Sequence, residues 1–338
     1  MSADELLRDY SPRGNSIPWQ GIKQASLTLA GAYAGLGAPF AGIAARMRDC
    51  GRWLEFQRFE VSDRQHDLLH LKQAQFCRGR LCPACQVRLA RRQHARLCQT
   101  FDAFLAAHPG HKLLMLTLTQ RTVALDRLRP AVTALLAGFR KLMRYQRVRQ
   151  AVVAWYRTLE ITRNDATGEY HAHLHVVLCV PPAYFDRKFG LYIDQARREW
   201  TRLWRKALRV DYDPVVDIRR LTTGVAGLDD GGRKALAEVT KYVTKPSVLS
   251  DLSGHALEEV HVALKGRRLV AASKNLRGEP EQELADTADD EPSVAMRLPE
   301  GAVYLGSELY RWHGRWSDYL LVARRTNTGG ADDITTPD

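Results

Sequence analysis

Three histidines, His171, His173 and His175, alternate with apolar residues in the segment Tyr-His-Ala-His-Leu-His-Val. Residues two apart on a β-strand point to the same face, so this spacing places the three imidazoles together and the apolar side chains in a core. Neighbouring imidazoles on a rigid strand form half of a divalent-metal site, which a carboxylate from an adjacent strand commonly completes. A solvated strand face is the alternative.

The carboxylate candidate is Glu160. Two apolar, β-branched segments, 151–162 and 171–179, flank the sequence Asn-Asp-Ala-Thr-Gly. These turn residues predict a β-hairpin. In that hairpin Glu160 lies nearly opposite His173, within reach of a cross-strand neighbour.

A second candidate reactive group is a tyrosine between lysines. A helix is predicted over 234–245, with Glu238, Lys241, Tyr242 and Lys245 on the side opposite its apolar stripe. A phenol is a poor nucleophile at neutral pH because its pKa is about 10. Flanking ammonium groups and a phosphate-bound cation would favour the phenolate. Taken alone, the pattern also fits an ordinary solvated helix surface.

A cysteine cluster provides a third chemical feature. Its members are Cys50, Cys77, Cys82 and Cys85, with Cys98 as an alternative fourth member. Four thiolates bind zinc tetrahedrally and would stabilise a small module, whereas unligated buried thiols are the other interpretation. Crowded cysteines in a chain of this length fit a metal site in a reducing cytoplasm better than a disulfide framework.

The elements that must position these groups follow one another in a definite order. Alternating residues predict a strand at 113–119, and a basic helix follows at 128–145. After the histidine hairpin come a helix at 193–209 and a strand at 214–221. The order β-α-β-β-α-β is that of a ferredoxin-like sheet with helices on one side, so we predict an α+β fold.

Composition suggests four regions along the chain. They are an Ala/Gly-rich segment of unknown role (1–45), a cysteine-rich predicted zinc module with a basic helix (46–105), the sheet-and-helix domain (110–250), and a carboxy-terminal region (251–338) with an acidic linker (279–291) and a flexible tail.

The formal net charge of the 338-residue chain is +12, and the acidic linker and tail mask a still more basic body. Such a body attracts polyanions, of which nucleic acid is the commonest. The uncharged run 24–45 contains four glycines and a proline and is only mildly apolar, so we expect no signal or membrane segment. No phosphate-binding Gly-x4-Gly-Lys-Ser/Thr loop is present, so the sequence contains no recognisable nucleotide-binding motif.

Taken together, the motifs resemble the rolling-circle replication initiators of the HUH endonuclease superfamily, and most closely the plasmid Rep family with one catalytic tyrosine. The similarity covers roughly 50–246. It rests on Cys-Gly-x-x-Leu-Glu-Phe, Cys-x4-Cys-Pro-x-Cys, Leu-Thr-Leu-Thr, the histidine strand and Glu-x-x-Lys-Tyr-x-x-Lys. The family often has proline at the position of Ala172.

The resemblance implies that His173 and His175 bind Mg²⁺ or Mn²⁺, with Glu160 in the place of a third ligand. It implies that Tyr242 attacks single-stranded or extruded origin DNA, leaving a 5′-phosphotyrosine and a 3′-OH that primes the host DNA polymerase. It also supports Glu238 as a general base for the second cleavage that ends a replication round. Because the sequence contains no phosphate-binding loop, DNA unwinding would need a host helicase.

Three other functions remain open. A conjugative relaxase or a single-strand transposase would use the same chemistry, although the cysteine cluster ahead of the histidines favours the plasmid initiator. A zinc-stabilised DNA-binding regulator without catalysis is the alternative from a different class.

Overall fold

The computed structural model describes residues 5–10, 16–62, 66–186, 193–224, 227–240, 252, 254–276, 298, 301–327 and 332–335. The chain divides into two compact units. The first combines 1–92 with 286–338, and the second comprises 93–285. Within the described residues, no helix has both the length and the apolar character needed to cross a membrane.

The first unit is built on an antiparallel sheet formed by both ends of the chain. Its strands are β1 (Trp53–Glu60), β2 (Leu68–Ala74), β8 (Val303–His313), β9 (Asp318–Asn327) and β10 (Asp332–Thr335). They are arranged in the order β10-β9-β8-β1-β2. Helices α1 (Trp19–Gly35) and α2 (Ala41–Asp49) also belong to it, and α3 (Pro83–Ala107) begins there.

The core of the first unit follows from alternation along β1. Leu54 and Phe56 are fully buried, and they pack with Trp19 of α1 and with Tyr310 and Tyr319. Because β1 pairs with β8, residues some 250 positions apart in sequence form one hydrophobic layer. The sequence analysis assigned 251–338 to a separate carboxy-terminal region and did not predict that a strand from it pairs with β1.

The second unit contains the histidine strand in another antiparallel sheet. Its strands are β3 (Lys112–Leu118), β4 (Ala154–Arg163), β5 (Tyr170–Val180), β6 (Val216–Arg220) and β7 (Val270–Ala272), in the order β6-β3-β5-β4-β7. Among the described residues, the helices that start in this unit are α4 (Leu128–Leu142), α5 (Gln146–Ala151), α6 (Ile193–Leu208), α7 (Asp230–Val239) and α8 (Gly254–Leu264). The predicted α+β class is confirmed.

Helices cover this sheet on both faces. On one face α4 and α6 pack together and against β5 and β6, and Gly138 of α4 allows close approach to the Trp204 ring. On the other face, Met115, Tyr156 and Val177 pack with residues of α3 and α7. Side chains two residues apart on a strand point to the same face. The histidines of β5 therefore lie on the same face of the sheet as Val177, the face covered by α3 and α7.

The predicted helix over 234–245 is wrong at both ends. Helix α7 begins at Asp230 because the side chain of Asp229 caps it, accepting a hydrogen bond of 2.7 Å from Gly232 N. It ends at Val239, with Thr240 as its carboxy-terminal cap. The predicted reactive residues Lys241, Tyr242 and Lys245 lie outside the described residues.

Candidate functional site

The pairing of β4 with β5 brings Glu160 beside the histidines. Glu160 stands directly opposite His173, as the turn-based hairpin predicted. His175 is opposite Thr158 on one side and Thr117 of β3 on the other. The intervening Ala172, Leu174 and Val176 are buried and face the other way, so the strand divides its polar and apolar residues between the two faces.

Three potential ligand atoms converge at this point. Glu160 Oε2 lies 2.9 Å from His175 Nε2 and 3.3 Å from His173 Nε2, and the two Nε2 atoms are 3.2 Å apart. Ligands at right angles around an octahedral ion, each about 2.1 Å from it, are separated by roughly 3 Å. Two imidazoles and one carboxylate in this spacing therefore fit three adjacent positions of a divalent metal ion.

The electrostatics of the group keep its carboxylate ionised. Burial alone would raise the pKa of Glu160, but hydrogen bonds and charge attraction from His173 and His175 outweigh it and hold the pKa well below its usual value. Thr117 Oγ1 lies 3.4 Å from His175 Nδ1, on the side of the ring away from Glu160. This contact can orient the imidazole, as outer partners of ligating histidines commonly do.

His171 does not join the three converging atoms, although the sequence analysis included it among the metal ligands. Its ring is stacked on that of His173, with centroids 5.0 Å apart and an interplanar angle of 23°. Burial and the neighbouring His173 lower the pKa of His171. The structure therefore places it beside the group, as a neighbour of one member.

Helix α7, which precedes Tyr242 in the chain, is anchored by a residue that sequence reasoning missed. Asp102 of α3 accepts hydrogen bonds from Leu228 N at 2.8 Å and from Arg233 Nη2 at 2.7 Å. Glu238, on the same helix, is exposed. Helix α7 ends at Val239, one residue after Glu238, and Tyr242 lies outside the described residues.

The four predicted cysteines form a compact cluster in the first unit. Cys50 Sγ lies 3.5 Å from both Cys82 Sγ and Cys85 Sγ, and Cys77 Sγ lies 3.6 Å from Cys85 Sγ. These cysteines are free thiols. Tetrahedral zinc with bonds of about 2.3 Å separates its sulfur ligands by slightly less than 4 Å, so the cluster fits that ion.

Cys98, the alternative fourth ligand, is not a member of this cluster. It is buried in the core of the second unit, where its sulfur lies 3.7 Å from His94 Nε2. Cys179, on the apolar strand β5, is buried in the same core.

Helix α1 supports the cysteine cluster with two residues that the sequence analysis did not select. Lys23 is 1% exposed, and its Nζ donates hydrogen bonds of 2.7 Å to the carbonyl oxygens of Arg48 and Cys50. Ser26 Oγ accepts a hydrogen bond from Ala84 N at 3.3 Å and lies 3.8 Å from Cys82 Sγ. Segment 1–45 thus supplies polar contacts around the thiols.

Comparison with known proteins gives consistent matches. The replication protein family model, Rep_1, matches residues 68–320. Protein rep of Bacillus amyloliquefaciens is 32% identical over 344 residues, covering 94% of this chain and 97% of the relative. Protein rep of Streptococcus pneumoniae serotype 2 is 32% identical over 265 residues, covering 78% of this chain and 79% of the relative.

A Protein rep from a Bacillus species is 38% identical over 224 residues, covering 62% of this chain and 69% of the relative. No solved structure matches the chain significantly. The family match extends from β2 through the histidine sheet to β9, so it includes the converging ligand atoms and most of the cysteine cluster. The chain therefore belongs to the Rep family of plasmid replication proteins, the family that its motifs resemble.

Proposed function

We propose that this protein initiates rolling-circle replication by nicking one strand of a plasmid origin with Tyr242. The observation that carries the proposal is the convergence of Glu160, His173 and His175 on one sheet face. The sheet also supports it, since β3, β4, β5 and β6 stand in the order β6-β3-β5-β4, the interleaved arrangement of a ferredoxin-like HUH core.

The carboxylate and imidazoles would hold Mg²⁺ or Mn²⁺, which when bound would polarise the scissile phosphate. Imidazole ligands bind transition metals more strongly than Mg²⁺, so the donor set favours Mn²⁺ of the two. Glu160 contributes a negative charge that offsets the ion, and Thr117 orients His175. These residues preorganise the site before DNA arrives.

In the proposed reaction, the phenol oxygen of Tyr242 forms a bond to phosphorus and loses its proton. The bond from phosphorus to the 3′-oxygen breaks, and that oxygen takes up a proton to become the 3′-OH primer. Lys241 and Lys245 would favour the phenolate and offset charge in the transition state. The DNA 5′ end stays attached to Tyr242.

The proposed partners are an origin that is single-stranded or extruded at the nick, a host helicase and a host DNA polymerase. The cysteine cluster would hold a structural zinc ion, with the fold of the first unit depending on it. A zinc-stabilised DNA-binding regulator would share this cluster and the basic charge, but it would give no role to the converging imidazoles.

We expect Tyr242→Phe to abolish nicking and the covalent DNA adduct while leaving origin binding intact, because no other group forms the phosphodiester link. Denaturing electrophoresis of a labelled origin oligonucleotide detects the adduct. Tyr212→Phe is the matched control and should form it normally. An adduct that persists in Tyr242→Phe and disappears in Tyr212→Phe would assign the nucleophile to Tyr212.

Removing either imidazole should slow metal-stimulated nicking on the order of 100-fold or more, because Lewis-acid catalysis contributes several kcal/mol. The variants are His173→Ala and His175→Ala, assayed over a Mn²⁺ titration. His171→Ala is the control on the same strand and should lose far less activity. Metal-independent nicking at the wild-type rate by the first two variants would refute the metal assignment.

Purified protein should contain one zinc ion per chain, measured by elemental analysis. Cys82→Ser and Cys85→Ser should lose the ion and lower the thermal stability of the first unit, because the ion links residues that are distant in sequence. Cys98→Ser should keep the zinc, since its thiol lies outside the cluster. Metal-free protein of normal stability would show that the cysteines are simply buried thiols.

Glu238 is proposed as the general base that activates water for the second cleavage, a role that rests on the family resemblance and on its exposed carboxylate. Glu238→Gln should nick the origin nearly normally yet fail to end replication, so plasmid multimers accumulate. Asp230→Asn, also exposed on α7, is the control and should terminate normally. If Glu238→Gln terminates replication normally, Glu238 is only a surface charge. Ion pairs of such charges contribute under about 1 kcal/mol to folding stability.

A further inference from the structure

The hairpin between β8 and β9 ends in an exposed tip with a defined shape. His313 pairs with Asp318, and the four residues between them, Gly314 to Ser317, form the connection. Trp316 N donates to His313 O at 3.2 Å, and Ser317 adopts a left-handed conformation with φ 49°. These features are those of a compact turn.

Trp316, at this tip, is 51% exposed. The neighbouring Trp312 belongs to the hydrophobic layer of the first unit and contacts the Tyr319 ring edge-on, with centroids 5.3 Å apart. Trp316 is not a member of that layer. Packing in the described layer therefore does not explain this side chain, and tryptophan is a residue type enriched at binding interfaces.

One cationic side chain contacts Trp316, and a second is exposed on the same hairpin. The guanidinium of Arg315 lies over its ring at 5.6 Å, and the His313 ring is 6.4 Å away. Arg311, on β8, is exposed as well. Within the part of the chain that the structure describes, no carboxylate forms an ion pair with Arg311 or Arg315, so both charges are available to a polyanion.

We propose that this hairpin tip binds single-stranded DNA, with an unpaired base stacked on Trp316 and adjacent phosphates neutralised by Arg311 and Arg315. An aromatic face flanked by cations is how proteins bind unpaired nucleotides without reading their sequence. Paired bases in a duplex expose only their edges, so the flat indole suits an unpaired strand better. The inference rests on the proposed function, which requires unpaired DNA at the origin.

The test measures binding of the full chain to a labelled single-stranded oligonucleotide and to the corresponding duplex, by fluorescence anisotropy. Trp316→Ala should weaken single-strand binding by about 5- to 100-fold, the range expected when stacking of one base is lost. Duplex binding should change by much less. Val303→Ala is the control, because Val303 is 56% exposed at the opposite end of β8.

Two further variants separate stacking from simple apolar contact. Trp316→Phe should retain most of the affinity because it keeps an aromatic face, whereas Trp316→Leu should behave like Trp316→Ala. Arg315→Gln should weaken binding and reduce the slope of the logarithm of the affinity against that of the salt concentration by about one.

Unchanged single-strand affinity in Trp316→Ala, or full affinity in Trp316→Leu, would overturn the inference and favour a protein partner at the tip. A loss confined to duplex DNA would overturn the single-strand assignment. Adduct formation by the wild-type protein tests the proposed nicking separately. If the wild-type protein forms the adduct but Trp316→Ala binds single-stranded DNA as tightly as the wild type, only the hairpin inference is refuted. If binding depends on Trp316 but no adduct forms, only the proposed nicking is refuted.

Discussion

The antiparallel register between β4 and β5 is the constraint on which the rest of the candidate site depends. It sets Glu160 against His173 and, in the same step, buries Leu174 and Val176 on the opposite face. A slip of one residue would turn the histidines toward the α4 and α6 layer and move the apolar residues to the face that now holds the histidines. One strand pairing therefore sets both the packing of the core and the placement of the candidate ligand atoms, so a change of register alters both.

Each unit also brings candidate ligand atoms together at one point through its own fold. In the second unit the Glu160 carboxylate lies within 3.3 Å of two imidazole nitrogens, and these contacts hold its pKa below the usual value. In the first unit the buried ammonium of Lys23 lies next to the thiols of the cysteine cluster. Burial lowers the pKa of Lys23, and the charges of Cys50 and Cys82 oppose that shift.

Patterns of neighbouring residues in the sequence predicted the hairpin and the cysteine cluster. Strand alternation and a turn sequence were sufficient to predict the hairpin that pairs Glu160 with His173, and clustered cysteines predicted their own convergence. The pairing of β1 with β8 has no local signal, because each strand alone fits several partners. Lys23 gave no signal either, since its acceptors follow it in the chain by more than 20 residues. The bounds of α7 depend on the Asp229 cap, which the apolar stripe does not indicate.

The proposed divalent-ion site consists of Glu160, His173 and His175. Pulsed electron paramagnetic resonance of the zinc-loaded protein with one equivalent of Mn²⁺ tests this most directly, because imidazole nitrogen bound to Mn²⁺ gives a resolved hyperfine coupling. We expect coupling to two such nitrogens in the wild type and in His171→Ala, to one in His173→Ala, and weaker Mn²⁺ binding in Glu160→Ala. Absence of nitrogen coupling in the wild type, or two couplings in His173→Ala, would contradict the claim.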